Sequence, residues 1–324
     1  MKVLLTGAAG FIGSHTSQEL LGRGHTVVGI DNLNDYYDPQ RKLENLDEIR
    51  SGARGENFEF QKVDLRDREA LAGLFDRHDF GAVVNLGAMA GVRISIEQPH
   101  LYCDVNLSGT LNLLLECVKH RTGNFVLAST SSAYGNTDVI PFVETDPCDR
   151  PLAPYATSKR AAEMMCFTYH HLFKVNCTCL RFFTVYGPRG RPDMMAYKVL
   201  DNIYFDKPCK LYNNGEMWRD WTFIADIASG VASAAERHLG YEIINLGRGE
   251  MVKLSDFVTY MEDMTGEKSD LKPAPKVAAD IDRSFADISK ARKLLDYDPQ
   301  VSVKEGIEQF YEWYSLKVLK RSRA

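Results

Sequence analysis

Tyr155 and Lys159 stand four residues apart, just after Pro154, which suits the first turn of a helix, so both side chains fall on one helix face. An ammonium beside a phenol favours the phenolate and lowers its pKa from about 10 toward the range of a general base. Thr130, with Ser129, Ser131 and Ser132, follows the apolar run Phe125 to Ala128. That run reads as a buried strand, which sets the hydroxyls at its carboxyl end, where doubly wound sheets bind ligands and where they can hand a proton to Tyr155.

A second constellation opens the chain. Thr6-Gly7-Ala8-Ala9-Gly10-Phe11-Ile12-Gly13 follows a short strand and starts a helix, so its glycines let the backbone approach a pyrophosphate lying on the helix N-terminus. Asp31 ends the next strand 18 residues beyond Gly13, close to the place from which a carboxylate bonds the ribose hydroxyls of NAD. The same carboxylate repels a 2′-phosphate, so NAD is expected rather than NADP. Asp64-Leu65, after the third strand, places a carboxylate by the adenine, although Asp64 read alone suits a helix cap equally well. No Gly-Lys-Ser/Thr follows the glycines, which excludes a P-loop.

The elements that must hold these residues alternate as strand and helix through the first 180 residues. Strands are predicted over 3–6, 26–30, 58–63, 82–86, 125–128 and 176–180, with helices over 11–23, 101–120 and 154–173. The expected fold is α/β, a doubly wound parallel (Rossmann) sheet with a smaller α/β C-terminal substrate domain. After Arg181 loops rich in Gly, Pro and Arg surround a helix near 193–205, with short strands near Lys210 and Trp221. The run Glu242 to Leu246 rejoins the first sheet. The NAD-binding domain is therefore drawn as residues 1–180 plus about 221–247, and the substrate domain as 181–220 plus about 248–324.

Composition narrows the partners. The 324 residues carry 39 Lys and Arg against 44 Asp and Glu, a net charge of −5 that argues against nucleic-acid or polybasic membrane binding. Seven cysteines with no metal-ligand spacing read as buried thiols in a reducing compartment, with no metal site. A glycine at residue 7 comes too early for a signal peptide, and no apolar run spans a bilayer, so a cytoplasmic protein is expected. The basic end from Lys317 to Arg323 reads as a helix C-terminus.

The chain resembles the extended short-chain dehydrogenase/reductases, in their nucleotide-sugar epimerase and dehydratase branch. The resemblance rests on Gly7-x-x-Gly10-x-x-Gly13, Thr130, Tyr155-x-x-x-Lys159 and Arg181-Phe-Phe-Thr184-Val-Tyr-Gly187-Pro188, in family order across essentially the whole chain. It implies Thr130, Tyr155 and Lys159 as catalytic residues, with Lys159 on the nicotinamide ribose. It also implies cofactor contacts at Gly7, Gly10, Phe11, Ile12, Gly13, Asp31, Asn32, Asp64, Leu65, Leu86 and Ala88. Asn85-Leu86-Gly87-Ala88 departs from the family's usual His-Leu-Ala-Ala. The family pairs the helices over 101–120 and 154–173 across a homodimer.

Within that branch, dehydratases show Thr-Asp-Glu after the catalytic Thr and decarboxylases commonly Thr-Ser-Glu; this chain has Thr130-Ser131-Ser132. With no carboxyl group to eliminate water, oxidation followed by reduction is favoured. Thr184, Asn34 to Pro39, Gly91-Val92-Arg93 and Pro188 to Met194 resemble the UDP-glucuronate 4-epimerases. Hydroxyls of Thr130, Ser131, Ser132 and Thr184 suit a sugar carboxylate. Arg191 and Arg219 suit the diphosphate, Tyr212 the uracil, and Arg93 the sugar or the phosphates. Asp226 reads as a helix cap, and Asp280 and Arg283 stay unassigned. The alternatives are a UDP-glucose 4-epimerase, a UDP-glucuronate decarboxylase-type enzyme and, from another class, a non-catalytic NAD-binding regulator.

Overall fold

A computed structural model describes residues 1–320. Its frame is a seven-stranded parallel sheet of β1 (Lys2–Thr6), β2 (Thr26–Asp31), β3 (Phe58–Lys62), β4 (Ala82–Asn85), β5 (Asn124–Thr130), β6 (Asn176–Phe182) and β11 (Tyr241–Leu246). The order across the sheet is β11-β6-β5-β4-β1-β2-β3, which reverses direction at β1 and β4 and so opens a crevice at their carboxyl ends. The last strand rejoins the sheet as its sequence predicts, Tyr241 to Leu246 pairing in register with Cys177 to Phe182.

Side-chain alternation explains why both faces are covered. Val3, Leu5, Val27, Val84, Val126 and Leu180 enter one apolar cluster, whereas Leu4, Val28, Val83, Phe125, Leu127, Cys177 and Cys179 enter the other. The first cluster takes in α1 (Phe11–Gly22), α2 (Pro39–Ser51) and α9 (Ile224–Ala235); the second takes in α3 (Arg68–Arg77), α6 (Gly109–Lys119) and α7 (Pro154–Phe173). Each fully buried Val or Leu contributes roughly 1.5–3 kcal/mol relative to an exposed one, so the alternation also fixes the register.

The helix predicted over 101–120 forms, but it carries a π turn. After α4 (Val92–Glu97), α5 covers Pro99–Cys103, residues Asp104–Ser108 form a π turn, and α6 begins at Gly109. Polar Asn106 sits fully buried in that turn.

The remaining elements are β7 (Thr184–Tyr186), α8 (Met195–Phe205), β8 (Lys210–Tyr212), β9 (Trp218–Arg219), β10 (Trp221–Phe223), β12 (Val252–Lys253), α10 (Leu254–Thr265), β13 (Lys272–Ala274), β14 (Arg283–Ser284), α11 (Ser289–Leu295) and α12 (Val303–Tyr314). Asp220 staples several of them. Its buried carboxylate accepts the N–H groups of Arg248, Gly249 and Ala286 at 2.7, 2.9 and 3.1 Å and the hydroxyl of Thr222 at 2.8 Å. Asp226 does not cap α9, which starts after Phe223; it accepts N–H groups of Gln300 and Val301 and ties the C-terminal segment to that helix.

Six cysteines are buried, but Cys103 is exposed. Among the described residues no helix is long and apolar enough to cross a membrane, and no cluster of His, Cys, Asp and Glu is placed to hold a metal. Of the basic end, Lys317 pairs with Glu48 at 2.8 Å; residues 321–323 lie outside the described part.

Candidate active site

A cleft of about 850 Å³ runs along the carboxyl ends of the sheet strands. At one end Gly7 turns the chain from β1 into α1 with φ +69°, a conformation glycine adopts without strain. A Cβ on Gly7 lies 2.8 Å from the Gly87 nitrogen, and one on Gly13 lies 2.0 Å from the Gly7 oxygen. Gly10 precedes α1 with no side-chain cap, so the first-turn N–H groups of that helix stay open to an anion. The three glycines therefore allow a tight turn, an open helix end and close helix packing, the arrangement a pyrophosphate requires.

Further along the same cleft lie Asp31, Asn32, Asp64 and Leu65. Asp31 is buried, accepts the Leu33 N–H at 2.8 Å and meets Lys42 Nζ at 3.3 Å. Asp64 is not a helix cap: Asp67 caps α3 by accepting the Ala70 N–H. Asp64 instead takes both prongs of Arg66, at 2.9 and 2.8 Å, and the Asn32 amide at 2.9 Å, and these bonds hold its carboxyl well below the usual carboxylate range. These residues fit an NAD molecule: open N–H groups for its diphosphate and a buried carboxylate for its ribose.

At the other end the cleft wall carries Leu86, Ala88, Thr130, Tyr155, Lys159 and Arg191. Thr130 is the last residue of β5; its hydroxyl accepts the Ser132 N–H at 3.1 Å and lies close enough to Tyr155 to act on the phenol. Burial pushes the Tyr155 phenol up from 10, while the Thr130 hydroxyl and the Arg191 charge pull it back. The sequence points to Lys159 for that pull, and here the structure differs. Lys159 is itself buried, which pushes it down to about 8, and the groups that answer its charge are Cys166 and Glu163, farther along α7. The cation acting on the phenol comes instead from the loop between β7 and α8.

Arg191 is gripped by Asp193, Nε to Oδ1 at 2.9 Å and Nη2 to Oδ2 at 2.6 Å, and its guanidinium lies 5.1 Å from the centre of the Tyr36 ring. It thus belongs to the Tyr155 end, apart from Arg219. Arg219 bonds the carbonyls of Trp218 and Asp282, and Arg93 lies 3.8 Å over the Tyr212 ring while bonding Asp280 at 2.9 Å. One face of Tyr212 is therefore already covered. Arg93, Arg219, Tyr212, Ser131, Ser132 and Thr184 are not in the wall of the cleft; Phe183 and Val185 are, on either side of Thr184.

Two buried residues that the sequence did not single out support the site from outside the cleft wall. Asn106, in the π turn, accepts the Met89 N–H at 2.9 Å and donates to the Met89 carbonyl at 3.0 Å, so it clips the loop after β4. The same amide reaches Ser158 at 3.0 Å. Its signal in sequence is a buried amide interrupting an amphipathic helix. Glu163 is the second, on the face of α7 shared with Tyr155 and Lys159.

The family described as GDP-mannose 4,6 dehydratase matches residues 4–310. The chain belongs to this family. Its place is the nucleotide-sugar epimerase branch of the extended short-chain dehydrogenase/reductases, and its cofactor is NAD. It is an NAD-dependent nucleotide-sugar 4-epimerase. A UDP-glucuronate 4-epimerase of Thermodesulfobacterium geofontis is 42% identical over 311 residues, 96% of this chain and 95% of that relative. A UDP-glucuronic acid 4-epimerase of Bacillus cereus, solved with UDP-glucuronic acid and NAD, is 34% identical with a TM-score of 0.89, covering 98% of this chain and 99% of that one. A UDP-glucose 4-epimerase of Thermotoga maritima, solved with UDP-glucose, is 28% identical with the same TM-score, covering 98% and 100%.

Proposed function

We propose that this family member interconverts UDP-glucuronate and UDP-galacturonate through a transient 4-ketone. The observation that carries this reading is the Thr130 hydroxyl beside Tyr155, with no carboxylate among the residues lining that end of the cleft and only Ser131 and Ser132 in the turn that follows. A site without an acid and base pair for elimination is suited to oxidation and return. The UDP-glucuronate 4-epimerase relatives support the same substrate.

Tyr155 acts as base on the C4 hydroxyl, directly or through Thr130, whose hydroxyl neighbours the phenol. Gly7, Gly10, Phe11, Ile12, Gly13, Asp31, Asn32, Asp64, Leu65, Leu86 and Ala88 hold the cofactor, with Lys159 on the nicotinamide ribose. When bound, NAD supplies the acceptor, and then the donor, of the C4 hydride. Arg191, the charge that bears on Tyr155, serves the sugar end, while Arg93, Arg219 and Tyr212 serve the UDP. Ser131, Ser132 and Thr184 hold the C5 carboxylate.

A homodimer with α6 and α7 paired across the interface accords with the exposed Leu115, Met164, Phe167, Leu172 and Phe173 on those helices. The deciding experiment incubates purified protein with UDP-glucuronate and, separately, UDP-glucose, and identifies products by NMR. UDP-galacturonate supports the reading; UDP-pentose, UDP-galactose alone or no turnover overturns it.

A further inference from the structure

The helix face of Tyr155 and Lys159 continues to Glu163, and Glu163 has no exposed surface. Arg181 of β6 grips its carboxylate with both prongs, Nε to Oε1 at 2.9 Å and Nη2 to Oε2 at 2.8 Å. Ser129 of β5 donates to Oε1 at 2.5 Å, and Arg160 donates to Oε2 at 3.1 Å. The Arg181 guanidinium lies 4.6 Å over the Tyr134 ring, whose hydroxyl donates to Asn245 of β11 at 2.7 Å. Two adjacent strands, β5 and β6, therefore converge on a single carboxylate of α7, and Tyr134 links its arginine partner to β11.

A buried ion pair contributes little net stability beside an apolar pair of the same shape, because desolvating two charges offsets their attraction. Its position supplies a better reason for it. Ser129 directly precedes Thr130, so the bond from Ser129 to Glu163 ties α7 to β5 beside the point where Thr130 meets Tyr155. Glu163 is also one helical turn beyond Lys159 and is one of the two groups that answer its charge.

Resting on the roles given above to Tyr155 and Lys159, we propose that Glu163 is a positioning residue, which fixes the roll of α7 against β5 and β6 and sets a negative charge behind Lys159. Tyr155, Arg160 and Cys166 on α7 are the other titratable groups of this neighbourhood on the helix itself. Cys179 and Arg181 face Glu163 from β6, Tyr241 donates to the Glu163 carbonyl from β11, and Tyr134 and Cys148 lie against Arg181. Removing the carboxylate charge leaves the two arginines unopposed, and every cation in that set disfavours the Lys159 ammonium.

The test is the pH profile of kcat and KM on UDP-glucuronate for the wild-type chain, Glu163→Gln, Glu163→Asp and Ser129→Ala, with NAD affinity and thermal melting measured in parallel. Glu163→Gln lowers kcat about tenfold at neutral pH with KM held within about twofold, and moves the alkaline limb of kcat to lower pH. Glu163→Asp restores the limb but not the full kcat, because the shorter side chain keeps the charge and loses the reach to Ser129. Ser129→Ala lowers kcat about threefold and leaves the limb where it was. A folded, NAD-binding Glu163→Gln variant whose profile superimposes on wild type overturns the inference. If that variant does not fold, an unchanged kcat in Ser129→Ala overturns it. A wild-type chain that binds NAD but does not turn over UDP-glucuronate overturns the functional reading itself, and this inference with it; active wild type with matching variants overturns the inference alone.

Discussion

Arg191 is held by Asp193 through two bonds, at 2.9 and 2.6 Å, while its charge pulls down the Tyr155 phenol that burial pushes up. The proposed base is thus tuned from a loop that belongs to neither α7 nor β5. Tyr36, from the loop after β2, sits under the same guanidinium, so the cofactor side and the sugar side of the cleft meet on one cation.

Arg191→Ala is expected to move the acid limb of kcat to higher pH. In the proposed mechanism Tyr155 works as the phenolate; removing a cation raises the phenol's pKa further, so less phenolate exists at any pH below it. The rate falls about tenfold for each unit that the limb moves. A kcat profile at saturating substrate checks this, and an unmoved acid limb assigns Arg191 to binding alone.

Tyr155→Phe removes the proton acceptor without disturbing the glycine turn, so turnover disappears while NAD affinity stays within about twofold. Thr130→Ala leaves the phenol but takes the hydroxyl beside it, and a loss of about a hundredfold in kcat is expected. Calorimetric titration with NAD, run beside the turnover assay, separates the two effects.

Asp31 and Lys42 form a buried pair on which the expected choice of cofactor depends. The carboxylate opposes a 2′-phosphate, but the ammonium 3.3 Å away is a ready partner for one once the carboxylate is gone. Asp31→Ser is expected to weaken NAD binding about tenfold to a hundredfold and to strengthen NADP relative to NAD by at least about tenfold. Dissociation constants for the two cofactors measure it directly.

Asn106 satisfies the N–H and the carbonyl of Met89 together. Asn106→Ala leaves a buried donor and acceptor unpaired, at a cost of about 2 kcal/mol or more, seen as a lower denaturation midpoint. The loop after β4, which carries Leu86 and Ala88, loses its clip in the same step, so NAD affinity falls as well.

The glycine turn, Asp31 and the face of α7 were legible because each follows from local spacing: a positive φ, a strand end, an i, i+4 repeat. What crosses from another element was not. The periodicity that puts Tyr155 and Lys159 on one face carries no word of Arg191, which reaches the phenol from another loop, nor of Arg181 and Ser129, which claim Glu163 from two strands. A run of apolar residues from Leu101 to His120 hides the π turn because the extra residue at Asn106 shifts the face without changing the composition. Asp64 and Asp67 are both acids before α3, and only the Ala70 N–H distinguishes the cap.

The product ratio offers the sharpest trial of the uronate site. Oxidation at C4 makes the sugar a β-keto acid, which loses carbon dioxide when its bond to the carboxylate aligns with the carbonyl π system. Ser131 and Ser132 stand in the turn directly after Thr130, and Thr184 hangs its backbone N–H on the Asp220 carbonyl at 3.0 Å, so a rigid strand fixes it in place. In the proposed reading these hydroxyls, although outside the cleft wall, keep the carboxylate of the bound sugar out of that alignment by charge-assisted bonds. Ser132→Ala and Thr184→Val are each expected to raise the share of UDP-pentose among the products while UDP-glucuronate still binds. NMR of the product mixture reads the ratio. If it stays at the wild-type value in both variants with binding intact, the hydroxyls do not hold the carboxylate, and Arg191, the cation at the same end of the cleft, becomes the group to test in their place.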